Sequence, residues 1–455
     1  MKTAVIILAI IVLSLVFFSC EGDNPVPPGE QPKATLTLED VSCIEAWIKL
    51  STANISLPAD VDLYKGSSLI ETFSLSNTDT LLYADSLLPS QTYNFHTIIH
   101  PYNHTDQVTS NQLPVTTMDT TSNNFTWQSW TFGGQAGSCN LRDVAIIDEN
   151  IIWAVGEIYL LDTLGQTFPT FYNLVVWNGN DWQVERVPYY YQGQPFYHPI
   201  KSILAFSEND IWLCGNGIIN WNGNQYIPIS IYNSVWGPYE MLKIRGSSRS
   251  DLYIAGSNGS IVHYLNYEWC GMESGIDMDL VDIAGTSGDN VFVCGSDINY
   301  GRGIILKKTD SGWETLVNSR VLSANELFRP DLYGSISTVW IDEKNTLYAA
   351  GNFLYRYKFG KWDYVRSLPE NYMGGNPGVY YRGYIGDVKG TKSNDIWIVG
   401  DRNTLRHFNG VSWKQIGLPY SPASDIVWHS VYTRENIIAV VGFKSDSAIV
   451  MLIKK

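Results

Sequence analysis

The chain has 455 residues, 13% of them aromatic and only 16% charged, with a formal net charge of −15. That acidity, with no basic run in either half, argues against nucleic acid as a partner and against electrostatic adhesion to anionic lipid. The length allows more than one hydrophobic core, and the composition is that of a secreted globular protein.

Met1 to Cys20 reads as a targeting segment. Lys2 gives a positive start, and Ala4 to Phe18 is an almost unbroken apolar run, short for a transmembrane span. Phe17-Phe18-Ser19-Cys20, a small residue before a cysteine, resembles the lipobox of bacterial lipoprotein signal peptides, departing from it in having Phe17 where an aliphatic residue is usual. The resemblance implies cleavage after residue 19 and a lipid on Cys20, which would be the chain's tie to a membrane; the alternative is an ordinary secretory signal cut elsewhere. Glu21-Gly22-Asp23-Asn24 resembles the acidic tag of lipoproteins on the outer face of the outer membrane, which implies a location there, facing the cell exterior. Pro25 to Pro32 completes a stiff tether over residues 20–32.

Residues 33–118 read as a separate small β domain, with strands expected over Ala34 to Leu38, Ala46 to Ser51, Val61 to Tyr64, Ile70 to Leu75 and Tyr93 to Ile99. Leu88-Pro89-Ser90-Gln91-Thr92-Tyr93-Asn94-Phe95 resembles the corner before strand F of fibronectin type III domains. The resemblance implies a β-sandwich in which Tyr93 is the corner tyrosine and Trp47 the core tryptophan of strand B, and in which the domain acts as a spacer. Residues 119–124 read as a linker.

Residues 125–455 carry a repeat. Ile396-Trp397-Ile398-Val399-Gly400 is a buried-strand run ended by glycine, and Thr404 to Phe408 and Trp413 to Ile416 follow as further strands around Asn409-Gly410, a strong hairpin signal. With Ile385 to Lys389 upstream, this makes a four-stranded antiparallel blade. The Trp397/Gly400 pair recurs as Trp153/Gly156, Trp212/Gly215, Tyr253/Gly256, Phe292/Gly295, Tyr348/Gly351 and, degenerately, Ala439/Gly442, with successive glycines 39 to 59 residues apart. The glycine suits a bend or a close backbone approach, and the aromatic suits the wedge between blades. The last copy has three strands, and Phe125 to Phe132 resembles the missing outermost one, so the N-terminal strand is expected to complete the C-terminal blade. The fold class is therefore all-β, a seven-bladed β-propeller (six if the last copy is misread) after a fibronectin type III-like β-sandwich. The repeat resembles the S-x-D-[IL]-[WY]-x-x-G propellers of secreted bacterial proteins, and Asp310-Ser311-Gly312-Trp313 distantly resembles the structural Asp-box of sialidase-like propellers. Five of the six cysteines remain if Cys20 is lipidated, and Cys214 and Cys294 occupy equivalent strand positions two blades apart, so no disulfide framework is expected.

In such a fold the connections from strand 4 to the next strand 1, and from strand 2 to strand 3, emerge on one face. Several are unusually aromatic: Tyr189 to His198, Tyr232 to Tyr239, Val317 to Tyr333 and Tyr372 to Tyr384. Tyr190, Tyr191, Tyr197, Tyr232, Trp236, Tyr239, Tyr372, Tyr380, Tyr381 and Trp428 are the candidate ligand-binding rim, suited to stacking on the apolar faces of sugar rings. The alternative is that these loops pack on one another over the channel. An extracellular glycan is the expected ligand and a protein partner the second.

No catalytic signature is present: there is no GxSxG, HExxH, P-loop or cysteine–histidine pattern, and no metal or cofactor is expected. His263 and His407 take matching strand-3 positions and read as a structural repeat. Asp143, Asp282 and Asp387 recur on first strands, with Ser202, Lys243 and Thr338 as companions in other blades; hydrogen bonding to adjacent-blade backbone is the expected role, and paired carboxylates of a glycoside hydrolase or lyase, or of a calcium site, the alternative.

Overall fold

The computed structural model describes residues 31–102, 106–166, 171–231, 235, 237, 239–285, 290–297, 301–319, 332, 334–364, 384–417 and 424–455. The chain forms two compact units, one built from strands between Lys33 and Thr116 and one comprising Thr117–Lys455 together with Ser42–Ile44 and Leu87–Ser90.

In the first unit one sheet holds Lys33–Val41, Ala46–Ala53 and Asp79–Ala84, in that spatial order. The other holds Ser68–Leu75, Ala59–Lys65, Thr92–Pro101 and Val108–Thr109, with Leu113–Thr116 also on Thr92–Pro101. Alternation along Thr92–Pro101 buries Phe95, Thr97, Ile99 and Pro101, and this period of two aligns the strand's inner face. Trp47 is buried on Ala46–Ala53, its ring 5.6 Å from that of Tyr83. Tyr93 is the second residue of its strand, directly after the Leu88–Gln91 corner. Three strands of this unit were not expected: Asp79–Ala84, Val108–Thr109 and Leu113–Thr116.

Among the described residues the second unit holds a two-stranded hairpin and seven four-stranded antiparallel sheets, each of the seven running from an inner first strand to an outer fourth. Their first strands are Asn140–Asp148, Ser202–Ser207, Met241–Ser248, Leu280–Ala284, Ile336–Ile341, Ile385–Lys392 and Ile426–Arg434, for blades 1 to 7. Each of these contacts the next, and the seventh contacts the first, so the ring closes. In blade 7 the order is Ile426–Arg434, Ile437–Lys444, Ser447–Lys454 and then Thr126–Phe132, the expected N-terminal strand. Trp127 stands opposite Ile453 and Thr131 opposite Ile449 in that ladder. No open sheet edge is left between the two ends of the propeller, because each end supplies what the other lacks.

Two repeated devices hold the blades. The strand-2 aromatics Trp153, Trp212, Tyr253, Phe292, Tyr348 and Trp397 are all at most 7% exposed and sit in the cores between neighbouring blades. The glycine three residues on makes a close backbone approach. A Cβ on Gly156, Gly351, Gly400 or Gly442 would lie 2.0 Å from the carbonyl oxygen of Asn140, Ser335, Tyr384 or Val427 respectively. The hairpin after strand 3 differs in detail from the expected two-residue turn. Asn409 Oδ1 accepts the amides of Val411 and Ser412 at 3.1 and 2.9 Å, and only Gly410 has positive φ, at 97°. Asn178 and Asn222 accept from their own loops in the same way, with Gly179 and Gly223 in the left-handed position.

Residues 119–124 do not behave as a loose linker. Thr121 Oγ1 donates to Asn394 O at 2.6 Å, Asn394 Nδ2 to Asp119 O at 2.8 Å, and Asn123 Oδ1 lies 2.6 Å from His407 Nδ1, so the segment is bonded along blade 6. Cys43, Cys139, Cys214, Cys270 and Cys294 are free thiols, and Cys214 and Cys294 are small buried core residues as expected.

Candidate functional site

Seven equivalent positions, one on each first strand, line the axis. Each faces the residue that precedes the blade glycine: Asp143, Ser202, Lys243, Asp282, Thr338, Asp387 and Ser430. The aspartates clamp one blade to the next. Asp143 Oδ2 accepts Ser202 Oγ at 2.7 Å and the Ile203 amide at 3.2 Å. Asp282 Oδ2 takes Thr338 Oγ1 at 2.8 Å and the Val339 amide at 3.1 Å, and Asp387 Oδ2 takes Ser430 Oγ and the Val431 amide, both at 3.1 Å. This is the adjacent-blade hydrogen bonding expected for these three aspartates.

Three cations balance the three carboxylates. Lys243 Nζ is 3.1 Å from Asp143, Lys389 Nζ is 2.7 Å from Asp387 and 3.3 Å from Asp282, and Arg245 Nη1 is 3.8 Å from Asp143. Burial alone would raise the carboxyl groups, yet Lys243 and Arg245 hold Asp143 well below the usual carboxylate range. Lys389, Lys243 and Arg245 likewise hold Asp282 down, against its burial. Lys389 responds in turn: burial disfavours its charge, but Asp282 and Asp387 keep its ammonium above the ordinary lysine value. Unpaired, any one of these buried charges would cost several kcal/mol, on the order of what pairing recovers. Sequence reasoning found the aspartates from their repeat position but not Lys389 and Arg245; the available signal was their place two residues further along first strands that hold Asp387 and Lys243.

The histidine pair is also structural. His263 Nε2 lies 2.7 Å from Asp251 and stacks on Tyr253, while His407 Nε2 lies 2.8 Å from Asp395 and tilts against Trp397. The repeated aspartate thus ties strand 2 to strand 3 in both blades. Among the described residues no group of three or more His, Cys, Asp or Glu side chains could hold a metal ion.

Because the equivalent residues of neighbouring first strands meet side by side, all first strands start on one side of the ring. The crossings that lead into them, and the strand-2 to strand-3 turns, share that face. There Tyr189–Tyr191 and Gln194–Phe196 pair as a short hairpin, turned by Gln192 and Gly193 with φ of 50° and 77°. Tyr189 is buried, stacked on Phe196 at 5.7 Å, and burial pushes its phenol above the ordinary tyrosine range. Tyr190 points the other way and is 48% exposed. A hollow of about 400 Å³ lies at the hairpin, lined by Gln194, Pro195, Phe196 and Asn216. The next crossing reaches the same neighbourhood: Glu240 forms a 3.0 Å ion pair with Lys201, and its neighbour Tyr239 is 41% exposed.

Of the remaining rim candidates, Tyr197 is half-buried beside the hairpin. Trp428 is corrected: it is fully buried and donates from Nε1 to Asn403 Oδ1 at 2.9 Å, so no ligand can stack on it. Its ladder partner is the blade glycine Gly442, the relation that Leu141, Met241, Leu280, Ile336 and Ile385 have to their own glycines. It is the blade-7 copy of a repeated core position, and aligning the repeats would have found it. Cys20, Tyr232, Trp236, Tyr372, Tyr380 and Tyr381 lie outside the described residues, as does the side chain of Tyr191.

Neither a family model nor a curated protein matches the chain by sequence. Solved structures do resemble it. One is "YCF48 bound to D1 peptide", at 12% identity and a TM-score of 0.52, covering 74% of this chain and 97% of that one. Another is the WD40 β-propeller domain of Doa1, at 14% identity and a TM-score of 0.48, covering 73% and 98%. PorZ, a surface component of the type-IX secretion system of Porphyromonas gingivalis, matches at 12% identity and a TM-score of 0.40, over 91% of this chain and 73% of that one. At such identities the likeness is one of fold, and the fold is the β-propeller.

Proposed function

We propose that the protein is a non-catalytic binding scaffold of the cell surface, held by a lipid on Cys20 at the outer membrane and facing outward. The ligand binds on the face where the strand-4 to strand-1 crossings emerge. The observation that carries this reading is the hairpin of blade 2. It uses one tyrosine, Tyr189, as a buried anchor, leaves Tyr190 exposed, and sits at a hollow of about 400 Å³ lined by Gln194, Pro195, Phe196 and Asn216. An aromatic face beside amide donors and acceptors suits a sugar ring, which has an apolar face and a polar edge. Commitment of Asp143, Asp282 and Asp387 to the interblade clamp supports binding over hydrolysis.

A glycan is the first reading. The test is a glycan array with the full chain, followed by titration of any hit against Tyr190→Ala. Saturable binding that weakens at least tenfold in the variant, with no product released from the glycan, supports it; product formation would move the protein to the glycoside hydrolase or lyase alternative. A protein partner is the second reading, since propellers of this shape include one with a peptide bound.

A further inference from the structure

The seam between blades 6 and 7 differs from most of the others. In each of blades 1, 2, 3, 5 and 6 an aromatic at the start of strand 4 pairs with the last aromatic of strand 3. Trp182 lies 5.4 Å from Trp177, Tyr226 4.8 Å from Trp221, Trp269 4.5 Å from Tyr264, Trp362 4.8 Å from Tyr357 and Trp413 5.1 Å from Phe408. All are half-buried or buried. In blade 7 the same position is Trp127, its ladder partner is Ile453, and it is 43% exposed.

Phe125 explains the difference. It packs edge-on against Trp397 and His407 of blade 6, with both centroids 4.9 Å away, and so takes the wedge that a fourth-strand aromatic fills at the other seams. Trp127 is left outside that wedge. Beside it is a cleft of about 430 Å³, within the range of small-ligand sites. Among the described residues its lining includes Asn124, Phe125, Trp127, Lys414, Lys454 and Lys455, and no aspartate or glutamate.

The charge there opposes that of the rest of the chain. Lys414 Nζ donates to Asn123 O at 3.0 Å and faces no carboxylate within ion-pair distance among the described residues, whereas Lys455 Nζ is held at 2.5 Å by the buried Asp395. A chain of net charge −15 therefore presents, in the lining of one cleft, an indole and an ammonium with hydrogens to spare. We infer that this cleft is a second ligand site, separate from the tyrosine hairpin, and that it takes an acidic saccharide: the indole of Trp127 receives the apolar face of the ring, and Lys414 pairs with its carboxylate or sulfate. Neutral sugars lack the second contact, and peptides of acidic residues lack the first.

The test uses the full chain at low salt and three hexasaccharides, an oligogalacturonate, a chondroitin sulfate and a neutral maltohexaose, read by calorimetry and by indole fluorescence. At least one acidic hexamer is expected to bind saturably and the neutral one not. Trp127→Ala is expected to weaken that binding at least tenfold. Lys414→Gln, an exposed change that gives up one bond to Asn123 O, is expected to weaken it severalfold and flatten its salt dependence. Tyr190→Ala is expected to leave it unchanged, which separates this site from the hairpin site. Absence of binding by both acidic hexamers, equal binding of the neutral one, or binding indifferent to both Trp127→Ala and Lys414→Gln overturns the assignment.

Discussion

Asp387 of blade 6 and Ser430 of blade 7 meet on the propeller axis, the serine hydroxyl 3.1 Å from the carboxylate and also 2.9 Å from Asp143 of blade 1. One hydroxyl thus lies between carboxylates of both neighbouring blades at the seam where the two chain ends come together.

Asp387→Ala removes this clamp and leaves Lys389 with one carboxylate, Asp282 at 3.3 Å, beside the weaker bond to Val339 O at 3.4 Å. Losing one partner of a buried ionic cluster costs about 3–5 kcal/mol. The urea midpoint of the full chain is expected to fall accordingly, and Asp143→Ala should behave alike. A loss below about 1 kcal/mol would show that the axis is hydrated and its charges screened.

Acid should unfold the propeller through the same cluster. The folded-state pKa values of Asp143 and Asp282 lie below the 3.8 of an ordinary aspartate, so their stabilisation is complete above that value and drains away as pH falls through it. His429 acts at milder acidity. Burial, and then the charge of Arg142, lower it from 6.5 to about 4, so between those values the unfolded state binds a proton that the folded state refuses. Stability therefore declines from pH 7 to pH 5, and His429→Leu should reduce that decline. Equal declines in the two proteins would remove His429 from the account.

Gly400→Ala places a Cβ 2.0 Å from Tyr384 O. Because the obstacle is backbone, the first strand of blade 6 must shift, and a loss of about 1–3 kcal/mol is expected from denaturant unfolding. Gly360→Ala, with φ of 77° but nothing within 4 Å, tests the turn alone and should cost less.

Tyr190→Ala should leave the thermal midpoint within about 1–2 °C of the parent, since an exposed side chain contributes little to the core. Tyr189→Ala, which empties a buried aromatic site, should lower it clearly. Two adjacent tyrosines with opposite effects on stability and binding would mark which face of the hairpin is for the ligand.

The blade plan was legible because its physical requirements recur: an aromatic for each wedge, a glycine for each close approach, a turn after each third strand. Closure was legible for the same reason, since Trp127-Gln128 looks like Trp182-Gln183 and Trp413-Lys414. Most of what escaped has one copy. Asp79–Ala84 leaves Leu81 and Tyr83 about 40% exposed, at 39% and 42%, so its apolar residues do not keep to one face and the alternation is blurred. The hairpin at Tyr189–Phe196 has three-residue strands, too short for periodicity to register. Trp428 is different: its position repeats, and nearness to a crossing points to the rim while its register with Gly442 puts it in the core. Displacement of Trp127 by Phe125 needs two strands and a neighbouring blade to be seen at all.

Ring closure by Thr126–Phe132 is the claim on which both proposed sites rest, and native-state hydrogen exchange of the full chain reads it directly. The amides of this strand that bond to Ser447–Lys454 should exchange as slowly as the core amides of Val440 and Val450, because opening them requires the ring to open. Exchange of the whole segment at the rate of an unstructured peptide, with the rest of blade 7 protected, would contradict it.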